Sequence, residues 1–257
     1  MEAAARRVRE SILHASCASG HGHLPTCFSV VEMLLAVYAT MRHDPRRPDW
    51  AERDVFVLSK GHAALSLYAV LAEHGYLGHE ELRSVGHAGS RLGCHADRLK
   101  VPGVEVSCGS LGHGIGVAAG MALAWKITRS PRRVFVLVGD GESNEGSVWE
   151  AVMVAADRGL DNLTLLYDDN RSQSRCLQIP NPVERFAAFG WNAIDVDGHD
   201  IAGIAARLRT PSTRPKALIC RTVKGRGCPT FERDVFAWHR RAPTVGERQQ
   251  LLAELYA

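Results

Sequence analysis

The 257-residue sequence contains no apolar stretch long enough to cross a lipid bilayer, which argues against a membrane-spanning protein. Residues 1–10 are charged and rich in alanine, and the apolar segment of a secretory signal peptide does not follow them. We therefore expect a cytoplasmic protein that works without a membrane.

Runs of like charge and closely paired cysteines are lacking as well. The 31 Lys and Arg residues are scattered among 28 Asp and Glu residues, with a net charge of +3, so we expect no nucleic-acid partner. The seven cysteines form no Cys-x-x-Cys pair, and their odd number indicates free thiols in a reducing compartment. What remains is an ordinary globular composition, 46% hydrophobic, in a chain long enough to bury a substantial core.

Short apolar runs rich in β-branched residues alternate with helical stretches along the chain. The runs that predict strands buried on both faces are residues 55–58, 134–138, 163–167 and 217–220. Predicted helices begin with capping boxes at Ser29 and Ser147, cover residues 115–126, and close the chain over residues 244–257. This alternation predicts an α/β fold with a doubly wound, mostly parallel sheet flanked by helices, and we interpret residues 1–257 as one domain.

The most informative local pattern is Gly139-Asp140-Gly141 at the end of one predicted strand, with Asn170 at the end of the next. Ligands of a doubly wound sheet bind beyond the carboxyl ends of its strands, and the flanking glycines let the chain close around a ligand. A carboxylate and an amide oxygen from adjacent strand ends can share an octahedral Mg²⁺ with phosphate oxygens. A simple turn is the alternative explanation for either motif alone.

A second glycine-rich segment covers residues 109–116 and reads Gly-Ser-Leu-Gly-His-Gly-Ile-Gly. Main-chain N–H groups in such a segment can converge on an anion, and the missing side chains let the backbone approach a flat ring. Close packing of the following helix explains the glycines equally well, and the sequence leaves both explanations open.

Together with further segments, these motifs resemble the transketolase family, and the likeness covers nearly the whole chain. The segments that carry it follow the family's order: Ser59-Lys60-Gly61-His62, Gly93-Cys94-His95-Ala96-Asp97, Pro102-Gly103-Val104-Glu105-Val106-Ser107, Gly109-Ser110-Leu111-Gly112, Gly139-Asp140-Gly141-Glu142, Glu145-Gly146, Asp197-Gly198-His199-Asp200, Lys224-Gly225 and Trp238-His239. The pyruvate dehydrogenase first component and deoxyxylulose phosphate synthase share the Gly-Asp-Gly…Asn core, but not the Ser-Lys-Gly-His and Pro-Gly-Val-Glu-Val-Ser segments together.

The resemblance implies thiamine diphosphate as the cofactor, with Mg²⁺, or Ca²⁺ or Mn²⁺ in its place. The metal ligands that it implies are Asp140, Asn170 and the main-chain oxygen of Ser172. The cofactor-binding residues that it implies are His62, Gly109, Ser110, Leu111, Gly139, Asp140, Gly141, Asn170 and His239. The catalytic residues that it implies are His23, His95, Glu145 and His239, with His23 and His95 facing the substrate and Glu145 in an acidic network between two active sites. Lys224 matches a basic position near the site.

Two histidines compete for one of these positions in Ser19-Gly20-His21-Gly22-His23. The family's motif places its histidine six residues before the serine of Ser-x-x-Glu, which is Ser29 in this chain. That count selects His23 and leaves His21 as an additional imidazole at the mouth of the site or as a loop residue.

The resemblance also implies that this chain is one half of an enzyme. Transketolases generate the cofactor's carbanion with a Glu from a further domain, and the sequence ends soon after Trp238-His239. We therefore expect a separate C-terminal subunit, an α2β2 assembly with the cofactor at the interface, and transfer of a two-carbon ketol unit from a ketose or its phosphate to an aldose. A truncated longer chain is the alternative explanation.

Three departures from the family pattern leave the substrate open. Residues 171–176, Arg-Ser-Gln-Ser-Arg-Cys, replace a Gly-x-x-Ile-Asp-Gly segment, the loop that follows is shorter, and His113 replaces a frequent Gln. Arg171 and Arg175 either bind an unusual anion or lie on the surface. Two alternatives to plain transketolase activity therefore stand: specialised ketol or acyl transfer on an atypical sugar or secondary-metabolite acceptor, and a non-catalytic scaffold subunit.

Overall fold

Five parallel strands form the central sheet of the structure, a computed structural model that describes residues 2–257. The strands are β1 (Val55–Leu58), β2 (Val134–Gly139), β3 (Leu163–Asp169), β4 (Asn192–Asp197) and β5 (Lys216–Arg221), in the spatial order β1-β2-β3-β5-β4. All four neighbouring pairs are parallel. The predicted α/β class with a parallel sheet is confirmed, and the four predicted strands correspond to β1, β2, β3 and β5.

Strand β4 was not predicted from the sequence, and its composition explains why. It lies at the edge of the sheet, beside β5, and its residues are at most partly buried. Asn192, Asp195 and Asp197 interrupt it with polar side chains. A continuous apolar run marks only strands that are covered on both faces, so this edge strand gave no such signal.

Helices cover both faces of the sheet. They are α1 (Glu2–Ser19), α2 (Leu24–Ser29), α3 (Val31–Tyr38), α4 (Ala64–Glu73), α5 (Gly114–Ile127), α6 (Gly146–Asp157), α7 (Pro182–Ala188), α8 (Ile201–Arg209), α9 (Pro229–Arg233) and α10 (Val245–Tyr256), with short 3-10 turns at Gly61–Ala63, His79–Ser84 and Glu142–Asn144. Phe56 and Leu58 of β1 join one apolar core with α1–α4, α8 and α10, and Val55 and Val57 join a second core with α5–α7. Strand order advances across the sheet from β1 to β4 and then steps back, because β5 lies between β3 and β4. A right-handed connection from β4 to β5 therefore places α8 on the face opposite α5–α7, as in a doubly wound sheet.

Two predicted capping boxes are wrong, although the helices near them exist. Ser29 is the last residue of α2, and its Oγ donates to Asp168 Oδ2 at 2.8 Å instead of capping α3. Ser147 lies inside α6, whose N-cap is Glu145, and its Oγ donates to the main-chain oxygen of Gly112 at 3.1 Å. In both cases a partner distant in sequence takes the hydroxyl that a local cap would use.

The predicted helices over residues 115–126 and 244–257 are confirmed as α5 and α10, and α10 has a capping box formed by Thr244 and Glu247. Within residues 2–257, no helix is long and apolar enough to cross a membrane. All seven cysteines lie in this range and are free thiols, as predicted. The register of the sheet brings the carboxyl ends of β2, β3 and β5 side by side, with β1 next to β2, so the segments that follow these strands meet at one edge.

Candidate functional site

A cleft of about 590 Å³ opens at the carboxyl edge of the sheet. The segments that follow β1, β2, β3 and β5 line it, together with residues before α2 and after α9. A volume of this size is typical of small-molecule and cofactor sites, and its position is the one that a doubly wound sheet offers to a ligand.

The cleft brings together the predicted site residues with two exceptions. Those that line it are His23, His62, His95, Gly109, Leu111, Gly139, Asp140, Gly141, Asn170, Ser172, Lys224 and His239. Ser110 and Glu145 are exposed and do not line the cleft, and Glu145 is the N-cap of α6. The chemical roles of all these residues stay predictions.

The structure separates the competing histidines. His23 immediately precedes α2 and lines the cleft, whereas His21 is exposed and does not. His113 is also exposed, and its Nδ1 lies 3.2 Å from the main-chain oxygen of Leu111 within its own loop. Of these three imidazoles, only that of His23 can meet a ligand in the cleft.

Three imidazoles of the cleft lie against one another. The His23 ring centroid is 5.0 Å from that of His62 and 5.3 Å from that of His239. Burial, assisted by the neighbouring His239 and Arg240, lowers the pKa of His23 to about 4, and burial beside Lys60 lowers the pKa of His62 to about 2. Burial and Lys224 lower the pKa of His239 as well. The three rings are therefore neutral at neutral pH and can both donate and accept hydrogen bonds.

Asp140 and Asn170 are joined through Ser172. The Ser172 hydroxyl donates to Asp140 Oδ1 at 2.7 Å, and the Ser172 main-chain N–H donates to Asn170 Oδ1 at 3.0 Å. One carboxylate and one amide oxygen are thus held beside Ser172 in the cleft wall. This donor set suits a hard divalent cation that takes its remaining ligands from phosphate oxygens or water. Within residues 2–257, no three His, Cys, Asp or Glu side chains are grouped to hold a metal ion by themselves.

Two glycines of the cleft allow side chains to pack closely against the main chain. A Cβ on Gly141 would collide with the Gln173 amide, and a Cβ on Gly139 would lie 3.1 Å from Lys60 Cδ. In the glycine-rich segment, Gly109 lines the cleft, whereas Gly114 packs on Ser59 and Gly112, with φ of +83°, packs on the start of α6. Close packing therefore explains Gly112 and Gly114, whereas ligand binding at Gly109 stays a prediction.

Asp168 is the residue that the sequence analysis missed and on which the cleft wall depends. Its carboxylate is fully buried and forms an ion pair with Lys60, which is also buried. It accepts further hydrogen bonds from Ser29, Thr222 and Asn170 Nδ2, the last at 2.7 Å. The bond to Nδ2 fixes the Asn170 amide, so that Oδ1 points away from Asp168 and towards the Ser172 N–H. Asp168 thus ties the segments that follow α2, β1, β3 and β5 to one point.

Glu142 is a second buried carboxylate that fixes the cleft wall. It accepts from Ser59 Oγ at 2.6 Å, from the Gly112 N–H at 3.0 Å and from the Gly139 N–H at 3.1 Å. Burial raises its pKa. The Gly-Asp-Gly-Glu segment was part of the sequence signal, but only the folded chain shows that its Glu joins the glycine-rich segment to the ends of β1 and β2.

Comparison with known proteins decides the family. The sequence family described as transketolase, thiamine diphosphate binding domain, matches residues 2–242. The chain belongs to the transketolase family. The transketolase of Rattus norvegicus is 40% identical over 263 residues, which cover 98% of this chain and 41% of that protein. This chain therefore spans well under half the length of that transketolase.

Two further members of the transketolase family have lengths close to that of this chain. The 6-deoxy-6-sulfo-D-fructose transketolase subunit SqwG of a Clostridium species is 37% identical, over 92% of this chain and 89% of that one. One subunit of the apulose-4-phosphate transketolase of Actinobacillus succinogenes is also 37% identical, over 99% of this chain and 95% of that one. The fold agrees: the transketolase of Pichia stipitis superposes with a TM-score of 0.87 at 30% identity, over 98% of this chain and 40% of that one.

The segment that departs from the transketolase pattern lies at the rim of the cleft. The Arg175 guanidinium carbon is 3.9 Å from the ring centroid of Phe236, which lines the cleft, and Cys176 lines the cleft as well. Arg171 is exposed, has φ of +58°, and lies 3.5 Å from Asp169 Oδ1. The two arginines are therefore not equivalent, because Arg175 stacks on a side chain of the cleft and Arg171 pairs with a carboxylate beside it.

The neutral imidazoles predict how stability depends on pH. His23 and His62 have lower pKa values in the folded chain than the usual value of about 6.5, so the unfolded chain takes up protons first as the pH falls. Stability is then lost on acidification from about pH 6.5 towards pH 4. For His62→Asn, urea unfolding between pH 7 and pH 4 should give a slope that is shallower by up to about 1.4 kcal/mol per pH unit. His113→Asn is the matched control, and equal slope changes for both variants would contradict the prediction.

Substitution of two neighbouring aspartates of β3 should lower the free energy of unfolding by very different amounts. Asp168→Asn leaves the buried Lys60 without its carboxylate, which should lower the free energy of unfolding by about 3 kcal/mol. Asp169→Asn breaks pairs with the partly exposed Arg221 and the exposed Arg171, and should cost about 1 kcal/mol or less. Urea denaturation at neutral pH measures both, and a smaller loss for Asp168→Asn than for Asp169→Asn would contradict the assignment.

Proposed function

We propose that this chain is the N-terminal, diphosphate-binding subunit of a thiamine diphosphate-dependent transketolase that transfers a two-carbon ketol unit from a ketose to an aldose. The proposal rests on one observation. In this chain of the transketolase family, a single cleft contains Asp140, Asn170 and Ser172 together with the neutral imidazoles and Lys224. We infer further that the enzyme works in the cytoplasm.

The residues present fit the cofactor and its metal. Asp140, Asn170 and the Ser172 carbonyl would hold Mg²⁺, or Ca²⁺ or Mn²⁺, beside the diphosphate. Gly109, where a Cβ would meet only the His95 ring at 3.9 Å, would let the cofactor approach the main chain closely. His62, His239 and Lys224 would donate hydrogen bonds to the diphosphate, and Gly109 and Leu111 would border the rest of the cofactor.

When bound, thiamine diphosphate supplies the carbon nucleophile that attacks the ketose carbonyl and carries the two-carbon unit. This chain's part is to hold and orient protons. The neutral His23 ring would accept a hydrogen bond from a substrate hydroxyl and so orient its proton, and His95, also in the cleft, would do the same from another side. His239 lies against His23 and would act beside it.

The cleft's own carboxylates support the need for a partner. Asp140 accepts from the Gly141 N–H and from Ser172, and Glu142 accepts from three donors of the chain. Asp140 would be a ligand of the metal and Glu142 is held by the chain, so we infer that an acid residue of a separate C-terminal subunit activates the cofactor as a base, in an α2β2 assembly. The apolar side chains of Val117, Met153 and Val154 are exposed on α5 and α6 and would be covered by such a partner.

Reconstitution tests the proposal. With Mg²⁺ and thiamine diphosphate, two-carbon transfer should appear only when the complementary subunit is present. In titration calorimetry of the reconstituted pair, Asp140→Asn should weaken Mg²⁺-dependent cofactor binding at least about tenfold, a loss of ~1.4 kcal/mol. Asp169→Asn, beside the cleft, is the control and should bind normally.

Each unfavourable outcome has a distinct meaning. Transfer by the purified chain alone would overturn the two-subunit assignment. Failure of the pair to bind cofactor in the presence of Mg²⁺ would overturn the catalytic assignment and favour a non-catalytic scaffold subunit.

A specialised substrate is the second candidate, and Arg175 favours it. Relatives of nearly the same length are named for 6-deoxy-6-sulfo-D-fructose and apulose 4-phosphate, both sugars with an anionic group. Arg175, on the Phe236 ring at the cleft rim, and Arg240, within the cleft, would attract the anionic end of such a sugar.

The two arginines of the departing segment supply a matched pair of variants for this candidate. In the reconstituted enzyme, Arg175→Ala should raise KM for an anionic ketose about tenfold while kcat changes little, because one charged contact to the substrate is lost. Arg171→Ala removes an exposed guanidinium beside the cleft and should change KM less than about twofold. Equal effects of the two variants in steady-state kinetics would contradict a role for Arg175 in substrate binding.

A further inference from the structure

The loop Asp197–Asp200, which joins β4 to α8, has no role in the function proposed so far. It lies against the segment Arg221–Lys224, which follows β5, and we call these the 197–200 loop and the 221–224 segment. The Gly198 N–H donates to the Arg221 main-chain oxygen at 2.9 Å. A Cβ on Gly198 would collide with the Thr222 methyl group, so this position admits only glycine without displacement.

The acidic residues at the two ends fix the shape of the 197–200 loop. Asp197 Oδ1 accepts from the His199 main-chain N–H at 2.8 Å. Asp200 is the N-cap of α8, and its Oδ1 accepts from the Gly203 N–H at 3.0 Å. The loop is therefore a stiff connection between a strand and a helix, and it holds the His199 ring in a defined place.

The His199 ring connects the 221–224 segment to the apolar core. Its Nε2 accepts the Val223 main-chain N–H at 2.8 Å, so the ring's proton must be on Nδ1 when the ring is neutral. Nδ1 lies 3.1 Å from Glu32 Oε2 and donates to it. Glu32 is buried in α3 and also accepts from Arg9 of α1 at 2.8 Å. Arg9, Glu32 and His199 thus form a hydrogen-bonded chain that ends on the Val223 N–H.

Val223 is followed by Lys224, whose side chain enters the cleft. Lys224 is 5% exposed, and its Nζ lies 3.4 Å from His239 Nδ1. On its other side, the Gly225 N–H donates to the Pro25 main-chain oxygen at 2.8 Å. The main chain is therefore anchored on both sides of Lys224. The His199 side chain holds it at Val223, and the Pro25 backbone holds it at Gly225.

We propose that His199 is a positioning residue that, by accepting the Val223 N–H, fixes the main chain from which Lys224 reaches the diphosphate of the cofactor. This rests on the proposed function, because the diphosphate is the ligand that Lys224 would bind. Burial and the neighbouring Lys60 lower the pKa of Lys224 to about 8, which agrees with an ammonium group that an incoming anion would stabilise.

Amide replacements separate the two bonds of the ring. In His199→Gln, the side-chain oxygen can reach the place of Nε2 and accept the Val223 N–H. In His199→Asn, the shorter amide can reach only the place of Nδ1 and serve Glu32. Titration of thiamine diphosphate, at saturating Mg²⁺, into the reconstituted pair should give an affinity about fivefold weaker for H199N and within about twofold of the parent for H199Q.

A double-mutant cycle with Lys224→Met tests whether the effect passes through the lysine. K224M should weaken binding more than H199N does, and adding H199N to K224M should cause no further loss. Thermal unfolding of each variant shows whether it is folded, and His199→Phe, which keeps a ring without either nitrogen, takes the place of H199N if that variant does not fold.

The outcomes distinguish the inference from the proposal beneath it. Equal weakening by H199N in the parent and K224M backgrounds, or equal weakening by H199N and H199Q, would overturn the positioning role and leave the proposed function standing. Absence of Mg²⁺-dependent cofactor binding in the parent would overturn the proposed function and this inference with it.

Discussion

The buried ion pair between Lys60 and Asp168 is the constraint on which the candidate site depends. A charge removed from water is costly unless it is fully paired, and Asp168 meets this requirement by taking donors from segments that follow different strands and helices. Each donor is thereby held at the carboxyl edge of the sheet. The orientation of the Asn170 amide follows from this pair, and so does the anchoring of Thr222, two residues before Lys224.

Electrostatics divides the cleft into two kinds of surface. Glu142 accepts three hydrogen bonds from the chain, Asp140 is oriented by Gly141 and Ser172, and three imidazoles are kept neutral by burial and by nearby cations. The groups left to meet an anion are Lys224 and the arginines near the rim. A diphosphate with its metal would thus enter a site already oriented, with little rearrangement of side chains.

The sequence was sufficient for the parallel sheet and for Asp140 and Asn170, because both depend on local signals, and the resemblance to the transketolase family supplied the other predicted residues of the cleft. Buried strands are continuous apolar runs, and Asp140 and Asn170 stand directly at strand ends. What could not be predicted depends on distant partners. Ser29 and Ser147 match a helix cap locally but donate across the fold, β4 is a polar edge strand, and Asp168 is an ordinary strand residue until Lys60 approaches it from another strand.

The register of β1 with β2 has a consequence for how this protein acquires its shape. Val55 pairs with Val134, so the two strands are separated by about eighty residues that include the glycine-rich segment. Closing a loop of that length costs conformational entropy before the contacts between the two strands can compensate for it. Parallel pairing of these strands is therefore slow. The part of the cleft wall that follows β1 and β2 is not in place until this closure is complete. A ligand of the cleft can therefore capture and stabilise the finished chain by mass action, but it cannot serve as a template on which the chain begins to fold.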